Sequence, residues 1–315
     1  MASNLVVVKS GGHHALKAKR TKKLVKIILE DRRRRVIIPS GPKGMTDDLI
    51  AAAQESILRG SVTRETYKKV IDKWEELCND HNLPKSYRSV KNLFDKTLNS
   101  YSGQSINLDT LKARRFIDKV APLGEISQAD YILVPLLNRA GLKAISLSPI
   151  GLIYGSDEPG NASILPDPNK KLKRKIDELL KEYGVVVLHG YYCSVQNGKR
   201  GEIVALPRGG TDTSGGHAAG ELGALVYENR SDNSIMRASP KVVQNPLKLD
   251  EITYREALEL TFMGFGILTD EAIRPCMNKL IPIHVIDDFN GSGITKILRY
   301  RKPDGYEVAG VAHKP

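Results

Sequence analysis

The sequence has few cysteines and few aromatic residues, and it contains no long apolar run. Its three cysteines, Cys78, Cys193 and Cys276, are widely spaced and form no CxxC pair. This pattern disfavours a zinc site and the disulfide framework of a secreted domain. No apolar run approaches the roughly 20 residues that span a bilayer, and the first residues lack the regions of a signal peptide. We therefore expect a cytoplasmic protein with no membrane partner.

The chain is basic, with 48 lysines and arginines against 36 acidic residues and a formal net charge of +12. Such an excess can indicate a nucleic-acid partner. The densest run, residues 17–26, interleaves basic and apolar residues, which predicts an amphipathic helix with one solvated face. Because few aromatic residues stand among the charges and no nucleic-acid-binding module is recognisable, we expect no nucleic-acid partner.

The strongest functional signal lies in residues 206–216, which read LPRGGTDTSGG. This stretch follows a predicted hairpin over residues 191–205, whose turn signal is Asn197-Gly198, and precedes a predicted helix over residues 217–225. Glycine pairs at such a junction let backbone N–H groups approach an anion, and the planar fork of Arg208 matches a carboxylate or phosphate. Alone, the pattern is more often a turn with a surface charge than a ligand site.

A second glycine loop stands near the start of the chain. The apolar residues 5–8 predict a strand that leads directly into Lys9-Ser10-Gly11-Gly12. Two glycine loops, each with one fixed cation, indicate the two halves of a phosphate-binding site.

Strand-like and helix-like segments alternate from the first loop onward. A helix to residue 30 precedes a strand over residues 36–38, and a helix over residues 49–58 follows, capped by Thr46 or Asp47. The order predicts a parallel sheet with ligand-binding loops at the carboxyl ends of its strands. Residues 61–120 are predicted to be mainly helical; further helices are predicted over 123–137, 170–183 and 254–262, and further strands over 144–147, 185–188 and 281–286.

Together, the two glycine loops resemble those of the amino acid kinase family and, within it, the aspartokinases. Aspartokinases begin with a strand followed by Lys-Phe-Gly-Gly-Thr/Ser-Ser and carry Arg-Gly-Gly-Ser-Asp later in the chain. Here the corresponding residues are KSGGHH at 9–14 and RGGTD at 208–212, and the resemblance extends from about residue 5 to residue 297. It implies an α/β fold: a three-layer αβα sandwich with a mainly parallel central sheet and two lobes.

The resemblance also implies how the chain is divided. Residues 1–205 would form an N-terminal lobe with the amino-acid substrate and phosphoryl-transfer loops, and residues 206–300 a C-terminal lobe that binds nucleotide. Residues 301–315 resemble the beginning of an ACT domain, the regulatory module that usually follows in aspartokinases. Inhibition by lysine or threonine is not expected from the residues present, and a homodimer would have to pair through the kinase lobes.

The implied activity is ATP-dependent phosphorylation of the side-chain carboxylate of L-aspartate to 4-phospho-L-aspartate. ATP and Mg²⁺ are the implied cofactors, because ATP phosphates need a divalent cation for charge neutralisation. No metal-binding cluster of side chains is implied. Lys9 would stabilise the transferring phosphoryl group, with the backbone N–H groups of Gly11 and Gly12 beside it, and Asp212 would orient Lys9 or help to place the metal.

The remaining implied site residues form two sets. In the substrate set, Arg208 would bind the α-carboxylate through two parallel hydrogen bonds, and Glu125 would pair with the ammonium group. The full substrate set is Ser40, Thr46, Glu125, Tyr191, Arg208 and Thr211. The nucleotide set is Gly11, Gly12, Gly209, Gly210, Ser231, Asp232 and Lys241.

The sequence departs from the aspartokinase pattern at several positions. His13 and His14 stand where hydroxyl residues follow the first glycine pair, Arg230 replaces a tryptophan in the nucleotide loop of residues 226–241, and a lysine that some members use on ATP is absent from residues 263–270. Adjacent histidines on a helix diverge, so metal binding by this pair is not expected. Two alternatives stay open: the same acyl-phosphate chemistry on another amino acid or small carboxylate, and a homologue that binds ligand without turnover.

Overall fold

The structure is a computed structural model that describes residues 4–101, 107–199, 201–239, 242–266 and 268–303, together with residues 305 and 310. It contains one eight-stranded sheet and one three-stranded sheet. Lys241 and most of the segment that resembles the start of an ACT domain lie outside the described residues. In the part of the chain that is described, no helix combines the length and the apolarity needed to cross a bilayer.

The strands are short, and most of their residues are buried because helices cover both faces of the large sheet. They are β1 (Val6–Ser10), β2 (Arg34–Pro39), β3 (Ala144–Leu147), β4 (Tyr154–Gly155), β5 (Val185–Leu188), β6 (Tyr192–Val195), β7 (Ile203–Ala205), β8 (Val226–Ser231), β9 (Glu251–Thr253), β10 (Ile283–Asp287) and β11 (Ile294–Leu298).

The large sheet is mainly parallel and has the order β3-β5-β2-β1-β8-β10-β11-β9. Its first six strands in that order run parallel to one another, and β11 pairs with β10 in the antiparallel sense. The small sheet has the order β4-β6-β7. Its antiparallel pair, β6 and β7, confirms the predicted hairpin, and Asn197 adopts the left-handed backbone (φ 61°) that such turns favour.

The helices confirm most of the predicted segments, and α10 has the predicted bounds. They are α1 (Ala18–Glu30), α2 (Met45–Arg59), α3 (Arg64–Asp80), α4 (Pro84–Leu98), α5 (Leu111–Val120), α6 (Leu123–Ser127), α7 (Val134–Arg139), α8 (Lys171–Glu182), α9 (Gly210–Leu222), α10 (Tyr254–Phe262) and α11 (Asp270–Lys279).

Two apolar cores lie on opposite faces of the large sheet. Val6 and Val8 of β1 pack into the core formed with α1 to α7, whereas Val7 between them packs into the core formed with α8 to α11. Strands buried on both faces require continuous apolar runs, which is why β1 and β5 are recognisable in the sequence. The predicted three-layer α/β fold is confirmed.

The large sheet is continuous across the boundary that the resemblance implies at residues 205 and 206. Strand β1 of the first part pairs with β8 of the second along its whole length, from Val6–Val226 to Ser10–Arg230. The division into two lobes stays a prediction, and the site described below lies where β1 and β8 meet.

The prediction for residues 210–216 was wrong, because these residues belong to a helix and not to a loop. Helix α9 begins at Gly210, seven residues before the predicted start at residue 217. Glycine and hydroxyl residues favour helices weakly, but here they allow α9 to approach α11. A Cβ on Gly216 would lie 2.1 Å from the carbonyl oxygen of Ala272. Tertiary packing therefore overrides local propensity.

Three smaller predictions also need correction. Gly44, with φ 80°, precedes α2, and neither Thr46 nor Asp47 caps this helix because both lie inside it. The predicted helix over residues 123–137 is interrupted by a π-helical segment, Gln128–Leu133, between α6 and α7. Finally, the first six residues of the predicted nucleotide loop form β8, which ends at Ser231.

Candidate active site

The two glycine loops lie at one edge of the large sheet, where β1, β2 and β8 end. A cavity of about 270 Å³ opens between them. It contains both cations singled out by the sequence, Lys9 and Arg208, so the two loops converge. Its lining residues are Lys9, Gly12, Ser40, Gly41, Pro42, Lys43, Gly44, Thr46, Asp47, Ile50, Glu125, Tyr191, Arg208, Gly209, Gly210, Thr211 and Asp212. We call it the acceptor cavity.

A chain of polar contacts fixes Lys9 on the floor of the acceptor cavity. The residue is 8% exposed, and its ammonium nitrogen lies 2.8 Å from Oδ1 of Asp212. Asp212 stands in the first turn of α9, where the helix dipole favours a carboxylate. The side-chain amide of Asn229 on β8 donates to the same Oδ1 at 2.5 Å. Asn229 was not among the predicted site residues, and no local sequence pattern points to it.

The first glycine loop is packed too tightly for side chains. A Cβ on Gly12 would lie 2.9 Å from both the carbonyl oxygen of Gly41 and the backbone nitrogen of Lys43. The N–H of Gly11 donates to the carbonyl of Arg230 at 2.9 Å. This N–H is therefore engaged within the protein, and its position beside a phosphoryl group stays a prediction.

Glu125 is a buried carboxyl group with one oxygen unsatisfied. Oε1 accepts hydrogen bonds from the N–H of Gly41 (3.1 Å) and the hydroxyl of Thr211 (3.5 Å), whereas Oε2 is buried without a hydrogen-bond partner. Burial raises the pKa of Glu125 from 4.5 to about 7, although these hydrogen bonds and the charge of Lys9 oppose the shift. A buried anion with a free oxygen can receive a cationic ligand.

Arg208 lies at the rim of the acceptor cavity, where Asp47 of α2 binds it. The guanidinium is 2.5 Å from Oδ1 of Asp47, and the Arg208 side chain is 87% exposed. Tyr191, also in the cavity wall, has a left-handed backbone (φ 77°), which is uncommon for a residue other than glycine. Backbone conformations of this kind cluster at functional sites.

Part of the predicted nucleotide set lies elsewhere. Gly12, Gly209 and Gly210 line the acceptor cavity, whereas Ser231 and Asp232 line a second cavity of about 160 Å³. We call it the nucleotide-side cavity. Its lining residues are Asn229, Ser231, Asp232, Asn233, Ser234, Ile235, Phe265, Gly266 and Val285. Asn229 lines this cavity and binds Asp212, which lines the other and also pairs with Lys9, so these contacts link the walls of the two cavities.

His13 and His14 point in different directions. The His13 ring lies between Lys43 Nζ (3.1 Å from Nε2) and Asp232 Oδ2 (3.2 Å from Nδ1). The buried His14 ring places Nε2 2.9 Å from Oδ2 of Asp288, away from this contact. The two rings therefore have separate partners.

Comparison with known proteins gives one family. Residues 4–287 match the amino acid kinase family. Aspartokinase 3 of Bacillus subtilis is 28% identical over 316 residues, which cover 97% of this chain and 66% of that protein. An aspartokinase of Geobacillus stearothermophilus is 29% identical over 199 residues, covering 62% of this chain and 47% of that protein. The chain thus spans about two thirds or less of the length of these relatives.

Solved structures agree with this result. The aspartate kinase of Clostridium acetobutylicum has a TM-score of 0.75 and 25% identity, with 98% of this chain and 66% of that chain covered. E. coli aspartokinase III, solved in complex with aspartate and ADP, also has a TM-score of 0.75, at 20% identity. The match covers 95% of this chain and 65% of that chain. At that identity the likeness concerns the fold. The resemblance first seen in the two glycine motifs is confirmed.

Proposed function

Because the chain belongs to the amino acid kinase family and has aspartokinases among its relatives, we propose that it transfers the terminal phosphoryl group of ATP to the side-chain carboxylate of L-aspartate. The product would be 4-phospho-L-aspartate. One observation carries the proposal: a single small cavity contains Lys9 for the phosphoryl group, Arg208 for a carboxylate and the buried Glu125 for an ammonium group.

The acceptor cavity has the charges that an amino acid requires. Oε2 of Glu125 has no partner, and an α-ammonium group would supply both the missing hydrogen bond and a compensating charge. Arg208 at the rim would bind the α-carboxylate, and its ion pair with Asp47 would either be broken or be kept beside the ligand. With both ends of the amino acid bound in this way, the side-chain carboxylate would extend toward Lys9.

Phosphoryl transfer depends mainly on positioning and on positive charge. A side-chain carboxylate oxygen would form a bond to the γ-phosphorus while the bond to the β,γ-bridging oxygen breaks, and ADP would leave. Lys9 would stabilise the charge on the transferring group. Asp212 and Asn229 would hold Lys9 in place, and Ser231 and Asp232 would contact the nucleotide from the nucleotide-side cavity.

Mg²⁺ would enter with the nucleotide. Among the described residues, no group of three or more His, Cys, Asp or Glu could hold a metal. Mg²⁺ usually retains several waters and binds one or two carboxylates together with substrate phosphates. Asp212 and Asp232, one in each cavity, fit this smaller requirement. The bound ion would neutralise phosphate charge.

A hydroxamate assay tests the proposal. Hydroxylamine converts an acyl phosphate into a coloured hydroxamate, so ATP, Mg²⁺ and aspartate should give a signal that Lys9→Met abolishes. Lys85→Met is the matched control, because Lys85 is exposed on α4. A signal from another small carboxylate, with none from aspartate, would show that this carboxylate is the acceptor. Silence with every acceptor would favour a ligand-binding protein without turnover.

The assembly state belongs to the same proposal. We propose a homodimer as the assembly that the chain forms in solution. Sedimentation of the purified chain would give the mass of the assembly directly.

A further inference from the structure

Three cations line the acceptor cavity, and their partners differ. Lys9 is paired with the carboxylate of Asp212, and Arg208 with the carboxylate of Asp47. The third cation is Lys43, whose ammonium nitrogen lies 3.1 Å from Nε2 of His13. Within the described residues, no ion pair is found for Lys43, so its charge is the least compensated of the three.

The contact between Lys43 and His13 determines where the ring proton lies. An ammonium group can only donate hydrogen bonds, so Nε2 of His13 must accept one, and the proton of the neutral ring is on Nδ1. That nitrogen lies 3.2 Å from Oδ2 of Asp232. An accepting ring nitrogen does not neutralise an ammonium group, so Lys43 keeps its positive charge in this contact.

Lys43 also belongs to a chain of side-chain contacts, Lys43–His13–Asp232, that links the two cavities and that we call the junction. It lines the acceptor cavity, and through His13 it is linked to Asp232, which lines the nucleotide-side cavity. Its backbone N–H donates to the carbonyl of Gly12 at 3.2 Å, in the loop that follows Lys9. The terminal phosphate of a nucleotide would have to cross this junction to reach the acceptor.

We propose that Lys43 binds the terminal phosphate of the nucleotide, and that His13 is a positioning residue that holds the Lys43 ammonium group at the junction. This inference rests on the proposed function, because it assumes that a nucleoside triphosphate occupies the nucleotide-side cavity. The chemical reason is charge. The terminal phosphate would bring negative charge to Lys43, for which no ion pair is found among the described residues, whereas Lys9 is already paired with Asp212.

The inference is tested by binding, without turnover. The dissociation constants of Mg-ATP and Mg-ADP are measured by calorimetry for the wild type, for Lys43→Met, and for the exposed control Lys85→Met. Lys43→Met should weaken ATP binding about tenfold or more and change ADP binding by less than about twofold, because only ATP carries the terminal phosphate. Lys85→Met should change neither.

Two variants of His13 test its positioning role. Gln can accept a hydrogen bond near the place of Nε2, so His13→Gln should keep the preference for ATP over ADP, whereas His13→Ala should lose part of it. Equal weakening of ATP and ADP binding by Lys43→Met, or no weakening of either, would overturn the inference. If the wild type binds neither nucleotide, the inference and the proposed function fail together. If nucleotides bind as expected but aspartate is not phosphorylated, only the assignment of the acceptor fails.

Discussion

The guanidinium of Arg208 lies 2.5 Å from Oδ1 of Asp47, across the mouth of the acceptor cavity. The two residues come from α2 and from the loop before α9, so their ion pair joins the two segments that enclose the cavity. Both side chains are mostly exposed, at 87% and 59%, and an exposed pair of this kind contributes only about 0–1 kcal/mol. An incoming carboxylate can therefore displace Asp47 at small cost.

Replacing Asp47 by Asn should make Arg208 more available to a substrate carboxylate. We expect the dissociation constant for aspartate to fall by up to about fivefold, which corresponds to about 1 kcal/mol. Calorimetry with the wild type and Asp47→Asn measures this change, and the exposed Asp250→Asn serves as control. Weaker binding in Asp47→Asn would mean that Asp47 orients Arg208 for the ligand instead of competing with it.

Glu125 should make aspartate binding depend on pH. Its pKa is about 7 in the unliganded protein, and only the ionised form can pair with an ammonium group. Binding of aspartate should therefore strengthen as the pH rises through about 7. Succinate, which has both carboxylates but no ammonium group, should show no such increase. Titrations of both ligands between pH 5.5 and about 8.5 separate the two cases.

The variant Glu125→Gln removes the charge but keeps the shape. It should weaken aspartate binding by at least about thirtyfold, since loss of one partner of a buried charge pair costs about 2 kcal/mol or more. Succinate binding should change much less. Equal losses for both ligands would contradict the pairing of Glu125 with the ammonium group and would point to a general disturbance of the cavity.

The same carboxyl group should affect folding stability. Because the pKa of Glu125 is raised in the folded protein from 4.5 to about 7, the stability that its protonation contributes is fully present below pH 4.5 and is lost as the pH rises through about 7. Glu125→Gln has no carboxyl group to ionise, so it should not lose this stability. Relative to the wild type, the free energy of unfolding of the variant should therefore rise by about 3 kcal/mol from low to high pH. Urea unfolding at about pH 5 and pH 8 measures the shift, with the exposed Glu65→Gln as control.

The fold could be predicted from the sequence where local pattern and tertiary environment agree. Strand β5 is apolar on both faces and buried on both, and α10 has the predicted bounds. The start of α9 could not be predicted, because the segment from Gly210 to Gly216 consists of poor helix formers, and its close packing on α11 has no local signature.

In the candidate site, too, residues within a sequence motif could be predicted and residues outside one could not. Lys9, Asp212, Glu125 and Arg208 were found through motifs, and all four line one cavity. Asn229 and Lys43 were missed, because their importance arises from contacts between segments that are distant in the sequence. Asp47 was considered only as a helix cap, and its contact with Arg208 has no local signature.

Asn229 should act on the reaction through Asp212. Replacing it by Ala removes the amide that holds Oδ1 of Asp212 at 2.5 Å, so the Lys9 ammonium group should become less well positioned. We expect kcat to fall on the order of tenfold to a hundredfold, with little change in KM for the acceptor. The exposed Asn169→Ala is the control. A change confined to KM would place Asn229 in substrate binding instead.

The contact between α9 and α11 should be among the least tolerant places in the fold. A Cβ on Gly216 would lie 2.1 Å from the carbonyl oxygen of Ala272, so Gly216→Ala forces the helices apart although Ala favours helix. We expect the free energy of unfolding to fall by about 2 kcal/mol or more. Gly184→Ala, whose nearest contact would be at 3.7 Å, should change it by less than about 1 kcal/mol.

Displacement of α9 by Gly216→Ala should also affect the candidate site, because α9 carries Asp212 in its first turn. Gly216→Ala should therefore lower kcat at temperatures where the variant is still fully folded, as monitored by circular dichroism. A variant that loses stability but keeps the wild-type kcat would show that the first turn of α9 is held by Asn229 and Lys9 independently of the packing on α11. In that case the polar contacts among these three residues, and not the helix contact, would determine the geometry of the reaction.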